Sequence, residues 1–173
     1  MSEDIPRSQF GESFVGDGVN AAHVNTVHGG KGGPVETAWV TALATPRPGH
    51  AAFVCTVAPG TAVQPQTLFV NKATIESERH AALTWGAAQA GVAAGVMDAV
   101  TADKIMGDFA QGRLIIAAVW VNPQADDEQA VFANNRLATC QALQAGREYK
   151  PTVAEAQAAA AHPHNAYFAG PMT

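Results

Sequence analysis

The order in which the hydrophobic period changes along this chain limits its fold more than any single motif does. Ser13 to Val15 and Ala21 to Val27 have strand character around a Gly16-Asp17-Gly18 turn, where glycine supplies backbone angles that other residues avoid. Pro34 suits a first helical position and Glu36 the positive end of the helix dipole, so a helix is expected from Pro34 to about Leu43. "AAFVCTV" reads as a buried strand, "APGTAVQPQ" as a loop whose prolines rule out regular structure, and "TLFVNKATI" as another strand. From Glu76 to about Val100 the spacing turns helical; Trp85, Val92, Val96 and Val100 approximate one apolar stripe, and Gln89 falls on it. The apolar strand "RLIIAAVWV" follows, and Asp126 or Asp127 can start a last helix reaching about Ala145. This order predicts an α/β (α+β) two-layer sandwich in which helices cover one face of a sheet. The order of the strands is not readable from the pattern.

A chain of 173 residues has the size of one domain, and such a domain buries roughly 70% of its unfolded surface without needing a staple. We read residues 1–9 as an N-terminal tail, 10–149 as the domain, and the alanine-rich segment 150–173 as a C-terminal arm or tail. The net charge of −5 includes no run of lysine or arginine, which sets aside nucleic acid and anionic membranes as partners. No stretch reaches the roughly 20 apolar residues of a membrane span, and "MSEDIPRSQF" has no apolar core for export, so the expectation is a cytoplasmic protein. Cys55 and Cys140 have no metal-like spacing and sit among apolar neighbours, as small buried thiols do.

The stretch "VGDGVNAAHVNTVHGGKGGP" concentrates the candidate chemistry. Its glycines invite a phosphate cradle, yet Lys31 is followed by Gly32 rather than Ser or Thr, and the G-x-G-x-x-G spacing is missing. A metal site lacks partners, because His23 and His28 fall on opposite faces of an extended segment and no acidic or cysteine set joins them. The period of two puts His23, Asn25 and Val27 on one face, and imidazole exchanges protons near neutral pH. His23 is thus either an acid catalyst or a structural hydrogen-bonding residue. Lys72 and Thr74 share a face with Leu68 and Val70; the amine either reaches solvent or points into a pocket. Gln89 is a ligand contact or a hydrogen-bonded core amide.

Taken together, "GESFVGDGVNAAHV", "GGPVETAW", "PGHAAFVCTVAPG", "PQTLFVNKATI", "WGAAQAGVAAGVMDAV" and "NPQADDEQAVFANNRLAT" resemble the formaldehyde-activating enzyme family, from about Phe10 to Gly146. The resemblance implies an α/β sandwich of the kind seen in the second domain of a ribosomal small-subunit protein and in small-molecule kinases. It also implies condensation of formaldehyde with tetrahydromethanopterin to 5,10-methylenetetrahydromethanopterin and water, within one-carbon metabolism and formaldehyde detoxification. Ring-shaped homopentamers with sites between subunits are expected, with tetrahydromethanopterin as co-substrate and no metal.

Residue by residue, His23 matches the family's proton donor, Lys72, Thr74 and Gln89 match pterin contacts, and Val54 replaces a leucine contact. Asn25 departs from the pattern, since the family usually has aspartate two residues after the histidine. Asparagine keeps the shape and loses the charge. Gln64 stands where a lysine is common, and "HGGKGG" differs from the usual loop. These departures leave a second reading open, a non-catalytic paralogue that binds pterin or senses formaldehyde.

Overall fold

The computed structural model describes residues 8–102, 110–165 and 170. The chain forms β1 (Gln9–Val15), β2 (Ala22–Gly30), α1 (Pro34–Ala44), β3 (Ala52–Val54), β4 (Thr56–Ala58), β5 (Thr61–Ala62) and β6 (Gln66–Asn71). It continues with α2 (Glu78–Ala82), π-helical turns over Leu83–Ala88, α3 (Gln89–Ala102), β7 (Arg113–Trp120), α4 (Glu128–Arg147) and α5 (Val153–Ala159). Residues 1–7 of the expected N-terminal tail lie outside the described residues, and β1 begins at Gln9, inside that tail.

Five strands make a mixed sheet in the order β1-β2-β7-β6-β3. Only the β6–β7 pair is parallel, and the long helical segment between them supplies the crossover that parallel neighbours require. The inner face, with Val24, Phe69, Ile115, Ala117 and Val119, packs against Val92 and Val96 of α3 and Val131 and Ala138 of α4. The two helices approach closely because α3 carries glycine at the crossing. A Cβ on Gly91 would lie 2.4 Å from the Phe132 carbonyl oxygen, and one on Gly95 would lie 2.3 Å from that of Arg136. Of the two aspartates the sequence offered, Asp127 caps α4, its carboxylate accepting from the Ala130 amide at 3.0 Å.

Further details differ from the sequence-based expectation. Helices do not cover one face alone: α1 packs on the outer face, where Val35 and Trp39 meet Leu68 and Leu114, with Val27, Val70 and Ile116 around them. Strands β6 and β7 are apolar at successive positions, and such strands need cover on both faces. Second, "APGTAVQPQ" is not irregular throughout, since β4 and β5 pair around a turn at Pro59-Gly60. The prolines flank the short strands instead of interrupting them.

Third, the long helix does not carry one stripe through Trp85, which is 42% exposed while Val92 and Val96 are buried. The six π-helical residues widen the turn and shift the phase of everything before them relative to α3. Fourth, the C-terminal arm holds a helix, α5, closed by a Thr152–Glu155 capping box although every residue of it is exposed.

Candidate active site

The outer face is covered by α1 at one end and open at the other, and the open end carries His23 and Asn25. The alternation of β2 places them there, with Ala22, Val24 and Thr26 buried beneath. Hairpin register then decides their neighbours. Phe14 stands opposite His23 and Glu12 opposite Asn25 on β1, while Trp120 and Ala118 stand opposite the same pair on β7.

His23 Nε2 lies 3.0 Å from a Glu12 carboxylate oxygen, and its ring meets that of Phe14 at a centroid distance of 5.7 Å. The His23 side chain is 34% exposed, so it is held on two sides and accessible on a third. A carboxylate accepts and does not donate, which puts the proton of the neutral ring on Nε2.

Lys72 reaches this cluster from β6. Its amide continues the ladder one residue past Asn71, donating to the Val119 carbonyl at 2.8 Å. Its ammonium donates to Asn25 Oδ1 at 2.9 Å. That contact spans two strand spacings, roughly 10 Å, and only a long stem lying over a small residue makes it. Ala118 is the residue between Asn25 and Val70 in the register.

Thr74 lies beyond the end of β6 and is positioned through His50 and Asn71. Thr74 Oγ1 is 3.0 Å from His50 Nε2, and His50 Nδ1 is 3.0 Å from the Asn71 carbonyl oxygen. The carbonyl requires Nδ1–H, so in the neutral ring Nε2 accepts the threonine hydroxyl proton. Buried Asn71 clamps the turn, donating to the Gly49 carbonyl at 2.9 Å and accepting from the Ala73 amide at 3.1 Å. Gly49 has φ +72°, and a Cβ there would come within 2.9 Å of Thr74 Cγ2.

Of the residues singled out from sequence, His23, Asn25 and Lys72 come together, and Thr74 stands two residues past Lys72. Val54 is on the outer face but on edge strand β3, three strands from β2 and packed toward α1. Gln89 does not join them. Its Oε1 accepts the Thr56 amide at 2.7 Å, tying α3 to β4. Sequence reasoning missed Glu12, His50 and Asn71. Counting outward from a Gly16–Gly18 turn would pair Glu12 with Ala22; the observed pairing with Asn25 follows from a connection that runs on to Ala21, and nothing local announces the other two.

The rest of the glycine-rich stretch has other employment. Gly32 N donates to a Glu36 carboxylate oxygen at 2.7 Å and Lys31 N to the Gly112 carbonyl at 2.9 Å, so the chain's own groups occupy two amides a phosphate would need. His28 faces inward, its Nδ1 3.0 Å from Gln9 Oε1 and its Nε2 accepting from Arg113 Nε at 2.6 Å. Burial, and then the adjacent guanidinium, lower its pKa to about 3. A cavity of about 150 Å³ lies on that inner side, lined by Gln9, His28, Cys140 and Arg147 among others. It is a gap between β1 and the ends of α3 and α4, on the opposite side of the sheet from His23. Both cysteines are free, and burial raises the Cys55 thiol to about 12. Among the described residues, no three His, Cys, Asp or Glu side chains are arranged to hold a metal ion, and no helix is long and apolar enough to cross a membrane.

A mixed sheet with helices on both faces, carrying a partly exposed imidazole beside an amide bonded to an ammonium, defines a small α+β protein with a polar cluster on one open sheet face. The formaldehyde-activating enzyme model matches residues 10–168, and the chain belongs to that enzyme family. It is 39% identical over 158 residues to the 5,6,7,8-tetrahydromethanopterin hydro-lyase of Methanosarcina barkeri, covering 91% of this chain and 89% of that protein. It is 34% identical over 145 residues to the bifunctional enzyme Fae/Hps of Methanocella arvoryzae. That match covers 84% of this chain and 37% of the relative, so the chain spans little more than a third of the bifunctional protein.

Proposed function

We propose that the protein condenses formaldehyde with tetrahydromethanopterin, giving 5,10-methylenetetrahydromethanopterin and water, with His23 as the acid. The observation that carries this reading is the convergence of His23, Asn25 and Lys72 on one open sheet face in a member of this family. One pterin amine adds to formaldehyde, and the resulting carbinolamine has a hydroxyl that leaves poorly. A proton from the imidazolium lets it depart as water, and the second amine closes the ring on the iminium carbon. Such assistance contributes about 10²–10⁴-fold, with more from holding both amines near the carbon.

Lys72, Thr74, Asn25, Val54 and Gln89 are the proposed pterin contacts. Gln89 sits on the helix side of the sheet and Val54 at its far edge, which supports a site completed by a second copy, as in the homopentamer expected for the family. Residues 10–149 would form the working domain and 150–173 an arm. The role assigned is formaldehyde use and detoxification in the cytoplasm, without a metal.

The test is the rate of methylenetetrahydromethanopterin formation above a protein-free blank. The wild-type protein is expected to accelerate it, and His23→Ala to cut the blank-corrected rate by roughly 10²–10⁴-fold. An unchanged rate in that variant would remove His23 from the mechanism. Asn25 favours one second reading, a pterin-binding or formaldehyde-sensing paralogue. Tight pterin binding without acceleration, with activity gained in Asn25→Asp, would establish it.

A further inference from the structure

The sheet face holding His23 also carries a carboxylate. Glu12 lies opposite Asn25 in the hairpin register and turns toward His23, 3.0 Å from Nε2. Its side chain is 59% exposed, so burial does not force it into this position. Asn25 cannot serve the imidazole in the same way. Its Oδ1 accepts from the Lys72 ammonium, and an amide carries no charge. The family's usual aspartate at this position would have offered two oxygens and a negative charge.

We propose that Glu12 is the positioning residue of the acid: it holds His23 Nε2–H and supplies, from the neighbouring strand, the negative charge beside the imidazole that Asn25 lacks. This rests on the reading of His23 as the acid. A defined reacting atom follows. With Nε2–H retained by Glu12, the transferable proton of the imidazolium is the one on Nδ1. Nδ1 gives that proton to the carbinolamine hydroxyl, the C–O bond breaks toward oxygen, and water leaves an iminium cation. The second pterin amine forms the new C–N bond, and the proton it releases returns to Nδ1. The sum is one aldehyde and one diamine giving one cyclic aminal and one water, with Glu12 ionised throughout.

The arrangement has the logic of a carboxylate that orients a histidine without itself taking the proton. Side-chain geometry produces it here from β1, not from β2. A Glu at 12 and a residue at 25 stand side by side, so either can present a carboxylate to position 23.

The experiment compares Glu12→Gln, Glu12→Asp and Glu12→Ala with the wild-type protein by steady-state kinetics and by ¹⁵N NMR of the His23 ring. In Glu12→Gln and Glu12→Ala, kcat is expected to fall at least about 10-fold and by no more than the roughly 10²–10⁴-fold that acid assistance as a whole supplies, with KM for the pterin little changed. The neutral His23 ring is expected to hold its proton on Nε2 in the wild-type protein and to populate both tautomers in Glu12→Ala. Adding Asn25→Asp to Glu12→Gln is expected to restore part of kcat. Wild-type kcat in Glu12→Ala, or an unaltered tautomer, would overturn the proposal. Loss of activity in His23→Ala together with full activity in the Glu12 variants would overturn it while leaving His23 as the acid. Full activity in His23→Ala would instead overturn the underlying reading.

Discussion

Two histidines five residues apart on β2 have opposite surroundings, and the difference comes from one step of strand parity and the cover on each face. His23 points to the open face and meets a carboxylate; His28 points inward and meets a guanidinium. His28 therefore stays neutral in the folded protein down to about pH 3, whereas in the unfolded chain it titrates near 6.5. Above pH 6.5 both states are neutral and the full stability is present. As pH falls below 6.5 the unfolded chain takes up a proton that the folded one refuses, so stability is lost progressively until about pH 3. From pH 6.5 to 5 the loss from this residue is expected to be about 2 kcal/mol. Urea unfolding of the wild-type protein and of His28→Gln at both pH values checks it: the variant has lower stability at neutral pH and a smaller drop on acidification. Equal drops would show that His28 is not the linked group.

At the scale of elements, the contacts between helices depend on residues whose value lies in what they lack. Gly91 and Gly95 let α3 lie against α4 at distances where a methyl group would collide with backbone oxygens. A backbone carbonyl cannot swing away as a flexible side chain can. Gly91→Ala and Gly95→Ala are expected to destabilise the fold by about 1–3 kcal/mol each, the usual cost of overpacking, despite alanine's better helix propensity. Thermal unfolding reads the sign directly; a stabilised variant would mean that the helices separate without penalty. The π-helical turns over Leu83–Ala88 explain why helical counting failed just before this contact. A wheel drawn at 3.6 residues per turn puts Trp85 in line with Val92, but the wider turns send Trp85 to the surface. Gln89 stands where the regular helix resumes, and its amide goes to β4.

For the whole molecule, the proposed ligand contacts divide between the sides of the sheet. His23, Asn25 and Lys72 form one half, and Gln89 lies on the helix side. If two neighbouring copies build each site, a mixture of subunits carrying His23→Ala with subunits carrying Gln89→Ala is expected to regain activity that neither parent assembly has, because some interfaces combine the two intact halves. Co-expression, with the mass of the assembly measured by light scattering, tests this. Absence of recovery in a mixed assembly of the right mass would place both residues in sites belonging to single subunits.

Much of this protein was legible in the sequence wherever the answer depended on neighbours along the chain. The period of two in β2 put His23, Asn25 and Val27 on one face, the Asp126-Asp127 pair marked the start of α4, and the alternation of strand and helix gave a mixed α+β domain. These outcomes follow from local geometry, because side-chain direction repeats with the backbone. Only the tertiary structure decided which strands are adjacent, that α1 covers the outer face, that Ala118 leaves a path for Lys72 to reach Asn25, and that Glu12 turns to His23. Each of these is a contact between residues distant in sequence or across a register, set by packing and pairing over the whole sheet. A single chain read in order carries no term for them.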